Sequence, residues 1–353
     1  MEGINIVLRI LWTGGVTRVA LEEARNIPGS KLIVYRRART NYDLSNVDLQ
    51  VLFEGDRPNP LFRFITSIYA GHRGSEATVD LDRIIRARDL IKGPSLFHDQ
   101  FAGLTGYLRW RKYGEDYAVY IHETSLDNEG VKWALPKLLE REVLKHSKLI
   151  LTNSRWNAEI LSSHGFRAEV VYPGCYPAEK VNTEREKIVL AVSLWDEGRR
   201  PEVYGEIAKR IKGKLVMAGS WARREAMEEF VRKYREVVVT GPISEGELLK
   251  LYERAAVLVR FGFHEKGPGM GVLEAMAHGV PVIVNEGLGS KELIDGNGFV
   301  VKDWEEAVDR INEILEDEKA RKEMSVRSWE IAKKLSWKNH AERVKELMEE
   351  RLK

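Results

Sequence analysis

The chain has 353 residues, 43% of them hydrophobic, which exceeds what one hydrophobic core usually holds and predicts two domains. Its 56 Lys and Arg against 54 Asp and Glu leave a formal net charge of +2, so charge gives no ground for a nucleic-acid partner. The single cysteine, Cys175, excludes an intramolecular disulfide and a cysteine metal cluster, and it reads as a small packed residue in a reducing compartment.

The opening MEGINIVLRILWTGG lacks the pattern of a signal peptide, and no run of about 18–20 apolar residues follows it, so a cytoplasmic chain without a spanning helix is expected. Short β-branched runs then alternate with amphipathic stretches: Ile4–Ile10, Val16–Asn26 and Lys31–Tyr35 come first. Further strands are expected at Leu49–Phe53, Ser95–His98, Tyr117–Ile121, Lys148–Thr152 and Ala168–Tyr172, with helices at Leu81–Ile91, Val131–His146 and Arg155–His164. This rhythm predicts βαβ units and a parallel sheet. Pro60–Arg73 interleaves bulky apolar and basic residues, which suits either a peripheral membrane helix or a helix covering the sheet. Asp80-Leu-Asp82 has an Asp-x-Asp form but opens a helical pattern, where N-terminal aspartates explain it better than a metal.

Two prolines and a glycine in Tyr172–Thr183 break the alternation near the midpoint and predict a linker. A second α/β unit follows, with strands at Ile188–Ser193, Lys214–Ala218, Val237–Thr240, Ala256–Arg260 and Val280–Val284. Apolar on both faces, these fit a parallel sheet covered by helices on both sides. After Val301 come three charged amphipathic helices, Trp304–Leu315, Glu318–Leu335 and Trp337–Leu352. The expectation is α/β: two Rossmann-like doubly wound domains, 1–175 and 176–335, facing a cleft, with a helix in 336–353 packing back on the first. Such sheets bind ligands at the carboxyl ends of their strands. The high share of Glu, Lys and Arg fits a heat-adapted source.

The segment Phe261–Val284 carries the strongest chemical signal: a strand exit, a glycine-rich loop, a helix and a second strand. Gly267, Gly269 and Gly271 lack Cβ atoms, so backbone N–H groups from Gly267 through Met270 to Gly271 can approach an anion, and the helix adds its positive end. Glu274 is expected in the first helical turn, where it could accept ribose hydroxyls. Taken alone, these glycines serve a tight strand-to-helix turn equally well.

Glu274-Ala-Met-Ala-His-Gly-Val-Pro-Val282 resembles the second half of the signature of glycosyltransferase family 4, the retaining group with the two-domain GT-B fold, residue for residue. That signature has two glutamates separated by seven residues. Here Glu265 lies nine positions before Glu274, so either the loop carries one extra residue or Lys266 replaces the carboxylate; the dipeptide His264-Glu265, which resembles the motif's opening, favours the extra residue. The resemblance implies that Glu265 and His122, the latter in Ala-Val-Tyr-Ile-His122-Glu123, face the donor sugar. It implies that Gly14-Gly15 faces the donor phosphates and acceptor, and that Lys266 either contacts phosphate or is a solvated loop lysine. Val192–Pro201 occupies the place of an arginine and lysine phosphate clamp, with Leu194 where arginine is usual and Arg199 where lysine is; Arg200 shares the task if the register shifts by one. Gly219 and Gly241 resemble loops around the nucleotide base, Glu292 a glutamate following the main motif, and Asn153-Ser154 and Val171–Gly174 fold markers.

The resemblance therefore implies a metal-independent hexosyltransferase. It would move a sugar from a nucleotide-sugar, GDP-mannose slightly ahead of UDP-sugars, to a glycan or lipid-linked acceptor, with no cofactor and no nucleic acid. Leu194 and the displaced Glu265 leave a catalytically impaired nucleotide-sugar-binding protein as the alternative, and an epimerase as a weaker one.

Overall fold

The computed structural model describes residues 3–55, 60, 81–263 and 265–352. Asp80, His264 and all of Pro60–Arg73 except Pro60 lie outside the described residues. Two compact units are formed, Met1–Pro173 with Trp337–Lys353, and Gly174–Ser336.

In the first unit the described residues form a parallel sheet from β1 (Asn5–Leu11), β2 (Lys31–Arg37), β3 (Leu49–Val51), β4 (Ser95–His98), β5 (Ala118–Ile121), β6 (Leu149–Thr152) and β7 (Glu169–Val170), in the order β3-β2-β1-β4-β5-β6-β7. Val7, Ile33, Phe97, Val119, Ile121 and Ile150 supply the core on one face, against Val143 and Leu161 from the covering helices. The order reverses direction between β1 and β4, so the C-terminal ends of these two strands flank a switch point.

Helix Gln100–Tyr113, which follows β4, has no counterpart in the expected elements. The reason is physical: it is buried over much of its circumference, so it lacks an amphipathic stripe. Two glycines let it lie close to its neighbours; a Cβ on Gly103 would sit 2.6 Å from Val143 Cγ1, and one on Gly106 2.6 Å from Tyr117 Cδ2. Asp99 caps it, accepting from the N–H groups of Phe101 (2.7 Å) and Ala102 (2.8 Å). The last helix, Trp337–Arg351, belongs to this unit and buries Trp337, Val344 and Leu347.

The second unit has β8 (Glu186–Val192), β9 (Lys214–Ala218), β10 (Val238–Gly241), β11 (Ala255–Arg260), β12 (Val282–Asn285) and β13 (Gly298–Val301), all parallel among the described residues, in the order β10-β9-β8-β11-β12-β13. Its switch point falls between β8 and β11. Edge strand β13 adds a sixth member that the sequence pattern did not single out: it is only four residues long, opens on a glycine, and Gly298, Phe299 and Val300 are partly exposed. Val189, Ala191, Leu215, Val257, Val259 and Ile283 form the core with Ile311 and Leu315.

Candidate functional site

In the second unit the two chain segments that leave the switch point carry the candidate phosphate chemistry. After β8, Trp195 is fully buried and donates its indole N–H to the Ala218 carbonyl (3.0 Å), which fixes the exit of the loop. Asp196 then caps a short 3-10 turn, Glu197–Arg199, by accepting from the Arg199 N–H (3.0 Å). This turn aims Arg199 at Glu265, with which it forms an ion pair.

Arg260, the last residue of β11, holds the same carboxylate from the other side at 2.9 and 3.1 Å, and donates to Ser193 Oγ at 2.9 Å. One carboxylate therefore sits between two guanidinium groups, leaving a net positive charge at the switch point. Arg260 was missed by sequence reasoning; its one available signal was a lone arginine ending an otherwise apolar strand.

The loop leading to the helix is held by the glycine turn after β12. Asn285 pairs with the Gly262 backbone in both directions, accepting from its N–H and donating to its carbonyl, each at 2.9 Å. The Gly289 N–H donates to the Glu265 carbonyl (2.7 Å), and a Cβ on Gly289 would collide with the Lys266 carbonyl oxygen. Lys266 itself is 4% exposed, so the solvated-lysine reading does not hold.

Helix Met270–Ala277 starts at Gly269, whose φ of 72° needs no Cβ and which supplies no side-chain cap. The Gly269 carbonyl takes the Val272 N–H (3.1 Å), so the N–H groups of Met270 and Gly271, at the very start of the helix, are the donors it offers to an anion. Gly271 has ordinary space for a Cβ, 3.7 Å from Val192 Cβ, so packing alone does not require glycine there. Glu274 lies in the second turn of this helix rather than the first, because the helix begins one residue earlier than expected. It is half-buried and accepts from Tyr252 Oη at 3.2 Å. Burial, with Glu274 adding to it, raises the Tyr252 phenol well above its ordinary value, so that hydroxyl remains a donor.

The remaining predicted residues of this unit are placed as follows. Arg200 takes the left-handed conformation (φ 46°) ahead of helix Pro201–Ala208; it pairs with Glu202 at 3.5 Å and lies 4.8 Å from the Phe263 ring centroid. Gly219 (φ 118°) is required by the fold itself, since a Cβ there would strike the Ser193 carbonyl. Gly267 lies in the loop between Lys266 and Gly269. Cys175 is buried, and burial pushes its thiol up to about 12, as for a packed, unreactive sulfur.

In the first unit, Gly14 precedes helix Gly15–Asn26 in an extended conformation open to any residue; a Cβ there would lie 3.1 Å from the Trp12 ring, and its carbonyl accepts from Tyr42 Oη at 3.1 Å. His122 follows β5 and is 8% exposed. Its carbonyl accepts from Asn157 Nδ2 (3.0 Å), and the adjoining Thr124 and Ser125 are tied to buried Glu140. Its ring stacks on Tyr120 at 4.4 Å.

His122 is one end of a buried line of groups. His98 Nδ1 lies 2.9 Å from His122 Nε2, and His98 Nε2 lies 2.7 Å from Glu23 Oε2. Glu23 Oε1 meets His340 Nε2 at 2.9 Å, and His340 Nδ1 meets the Tyr172 carbonyl at 2.7 Å. Burial alone would raise Glu23, but its interactions with His98 and His340 on either side outweigh it and bring the carboxyl down to about 2. Burial, then the neighbouring His98, lowers His122 well below the ordinary histidine value, so its ring is neutral. Sequence reasoning named His122 and, as an acceptor-side candidate at the end of β4, His98; Glu23 and His340, 75 and 317 residues from their partners in the line, left no local signal.

Among the described residues, no group of three or more His, Cys, Asp or Glu is arranged to hold a metal, and Asp82 is paired with Arg86 at 3.1 Å along its own helix. No helix of the described residues is long and apolar enough to cross a membrane.

Residues 178–330 match the family model described as glycosyl transferases group 1. An uncharacterized glycosyltransferase of Methanocaldococcus jannaschii is 31% identical over 151 residues, 36% of this chain and 38% of that one. A trehalose synthase of Pyrococcus horikoshii is 30% identical over 175 residues, 44% of this chain and 42% of that one. The chain thus matches less than half the length of these curated relatives.

Among solved structures, sucrose-phosphate synthase from Thermosynechococcus elongatus superposes with a TM-score of 0.75 at 16% identity, covering 99% of each chain. Anabaena HepE in complex with UDP-glucose superposes at 0.76 and 14%, covering 99% of this chain and 99% of that one. The fold is GT-B, built from two Rossmann-like parallel-sheet units.

Proposed function

We propose that the protein is a retaining, metal-independent glycosyltransferase that takes a hexose from a nucleotide-sugar. The observation that carries this reading is the juxtaposition in the second unit of Arg199, Arg260 and the N-terminus of helix Met270–Ala277 around one switch point, within the segment that matches the glycosyl transferases group 1 model. Two guanidinium groups against one carboxylate leave positive charge for a diphosphate, and backbone N–H groups at Gly269–Gly271 add fixed donors. Together they stabilise the negative charge that develops as the sugar–phosphate bond breaks, the role a metal plays elsewhere.

In this reading Glu274, anchored by Tyr252, accepts the ribose hydroxyls, and Glu265 both orients the sugar and holds Arg199 until a diphosphate competes for it. His122 offers a neutral ring nitrogen to a sugar hydroxyl. Gly14 and Gly15 leave the helix after β1 open to an anionic or hydroxylated ligand. The reaction is a displacement in which the acceptor hydroxyl forms the new glycosidic bond, its proton leaving with the departing diphosphate, and no enzymic nucleophile is invoked.

GDP-mannose is the first donor to test. UDP-glucose stands beside it, because HepE was solved with UDP-glucose. The acceptor class is a glycan or a lipid-linked sugar.

A thermal-shift screen of nucleotide-sugars tests the binding step. A donor at about 100 times its dissociation constant stabilises the folded chain by about 2.7 kcal/mol. No shift with any GDP-, UDP- or ADP-sugar would contradict the reading.

A further inference from the structure

The line His122–His98–Glu23–His340 allows few proton arrangements, and hydrogen-bond logic narrows them further. A carbonyl only accepts, so His340 Nδ1, 2.7 Å from the Tyr172 oxygen, carries a proton. Glu23 is ionised and accepts at both oxygens, so His340 Nε2 and His98 Nε2 carry protons as well. His340 is then an imidazolium, and its charge balances Glu23.

A second imidazolium at His98 would leave uncompensated positive charge among groups that are 0–8% exposed. His98 is therefore neutral, with its only proton on Nε2, and its Nδ1 must accept. Among the described residues the group placed to donate to it is His122 Nε2, at 2.9 Å. Nδ1 of His122 is left as a lone pair, with no hydrogen-bond partner among the described residues.

Resting on the glycosyltransferase reading, we propose that Glu23, His98 and His340 are positioning residues that hold His122 in its Nε2–H tautomer, so that its Nδ1 accepts a hydrogen bond from a substrate hydroxyl. The last helix of the chain thereby sets the chemistry of a residue 218 positions before His340 in sequence. A sugar hydroxyl donating to Nδ1 is oriented by one lone pair whose direction the ring, stacked on Tyr120 and His98, cannot change. No net proton transfer is required. The tautomer sets the direction of that bond: a ring with Nδ1–H would instead donate to the hydroxyl oxygen.

The test has one arm that does not depend on turnover. Nitrogen-15 NMR of histidine-labelled full-length protein at neutral pH should show His340 protonated at both ring nitrogens, and His98 and His122 protonated at Nε2 only, assigned by single His→Gln variants. A proton on Nδ1 of His122 would overturn the proposal whether or not the protein transfers sugar. In the second arm, His98→Phe keeps an aromatic ring and breaks both links, and Glu23→Gln keeps shape and removes the charge.

Both variants should lower kcat by about tenfold to a hundredfold, with the Kd for the nucleoside diphosphate within about twofold of wild type. In Glu23→Gln, His340 should lose its second proton; that readout stands even if His98→Phe does not fold. Unchanged kcat in a folded variant would overturn the positioning role. A wild-type protein with the predicted tautomers but no transfer from any donor would instead refute the glycosyltransferase reading and leave the tautomer assignment standing.

Discussion

Arg199 and Glu265 form an ion pair across the switch point of the second sheet, one residue from the turn after β8 and the other from the loop after β11. Arg260 grips the same carboxylate, so Glu265 cannot move to a ligand without leaving two guanidinium groups to be paired by something else. On the proposed function a diphosphate meets that demand, and the pair is the resting arrangement of the proposed phosphate site.

Arg199→Met should weaken nucleoside diphosphate binding by about 1.5–3 kcal/mol, the range for a hydrogen bond to a charged group. Because both partners are partly exposed, at 32% and 26%, the loss in folding stability should stay under about 1 kcal/mol. Isothermal calorimetry with UDP and GDP, alongside urea unfolding, checks both halves. A stability loss without a binding loss would make the pair purely structural.

Two glycines separate ligand approach from packing. Gly271→Ala has room for its methyl group and should fold normally, with thermal stability unchanged or raised, while donor binding falls at least about tenfold through contact with the phosphates. Gly289→Ala meets the Lys266 carbonyl and should lower Tm by several degrees. Melting curves with and without donor distinguish the two.

The buried Glu23 network predicts acid sensitivity in two steps. His122 is held neutral with a depressed pKa, so the unfolded chain binds the extra proton and stability begins to fall as pH drops below about 6.5. Glu23, depressed to about 2, contributes stability that is complete above about 4.5 and is lost as pH falls from there towards 2. Urea midpoints measured from pH 8 to pH 3 should show both declines in wild type. Glu23→Gln should remove the lower one, and an unaltered lower limb in that variant would show that the carboxylate is not the group titrating.

Gly106→Ala tests the helix whose pattern was hidden. Its methyl group would lie 2.6 Å from Tyr117 Cδ2 and 2.9 Å from Phe97 Cε2, both in the core, and overpacking of this kind costs about 1–3 kcal/mol. Chemical denaturation measures the loss. A neutral result would mean that the helix can shift outward.

The fold class was readable because β8, β9, β11 and β12 are apolar on both faces and, with β10 between β9 and β11, are spaced to leave room for one helix between consecutive strands, a pattern local to each segment. Helix Gln100–Tyr113 and strand β13 were not readable, since one is buried on several sides and the other is a half-exposed edge. Within the site, the glycine-rich loop announced itself through composition, and Arg199 through its place after β8. Arg260, Asn285 and the line from His122 to His340 depend on tertiary contact between distant segments. A single sequence holds no periodic or positional trace of such pairs. Glu274 shows the finer limit: a one-residue shift in the helix start moved it from the first turn to the second.

Donor turnover tests the central claim most directly. Radiolabelled GDP-mannose and UDP-glucose, incubated in turn with the full chain and a glycan or lipid-linked acceptor extract, should yield label on an acceptor or, without acceptor, as free sugar, and Glu274→Ala should abolish it. Nucleotide-sugar binding in wild type with no label released from any donor would contradict catalysis and leave a binding protein on a GT-B fold.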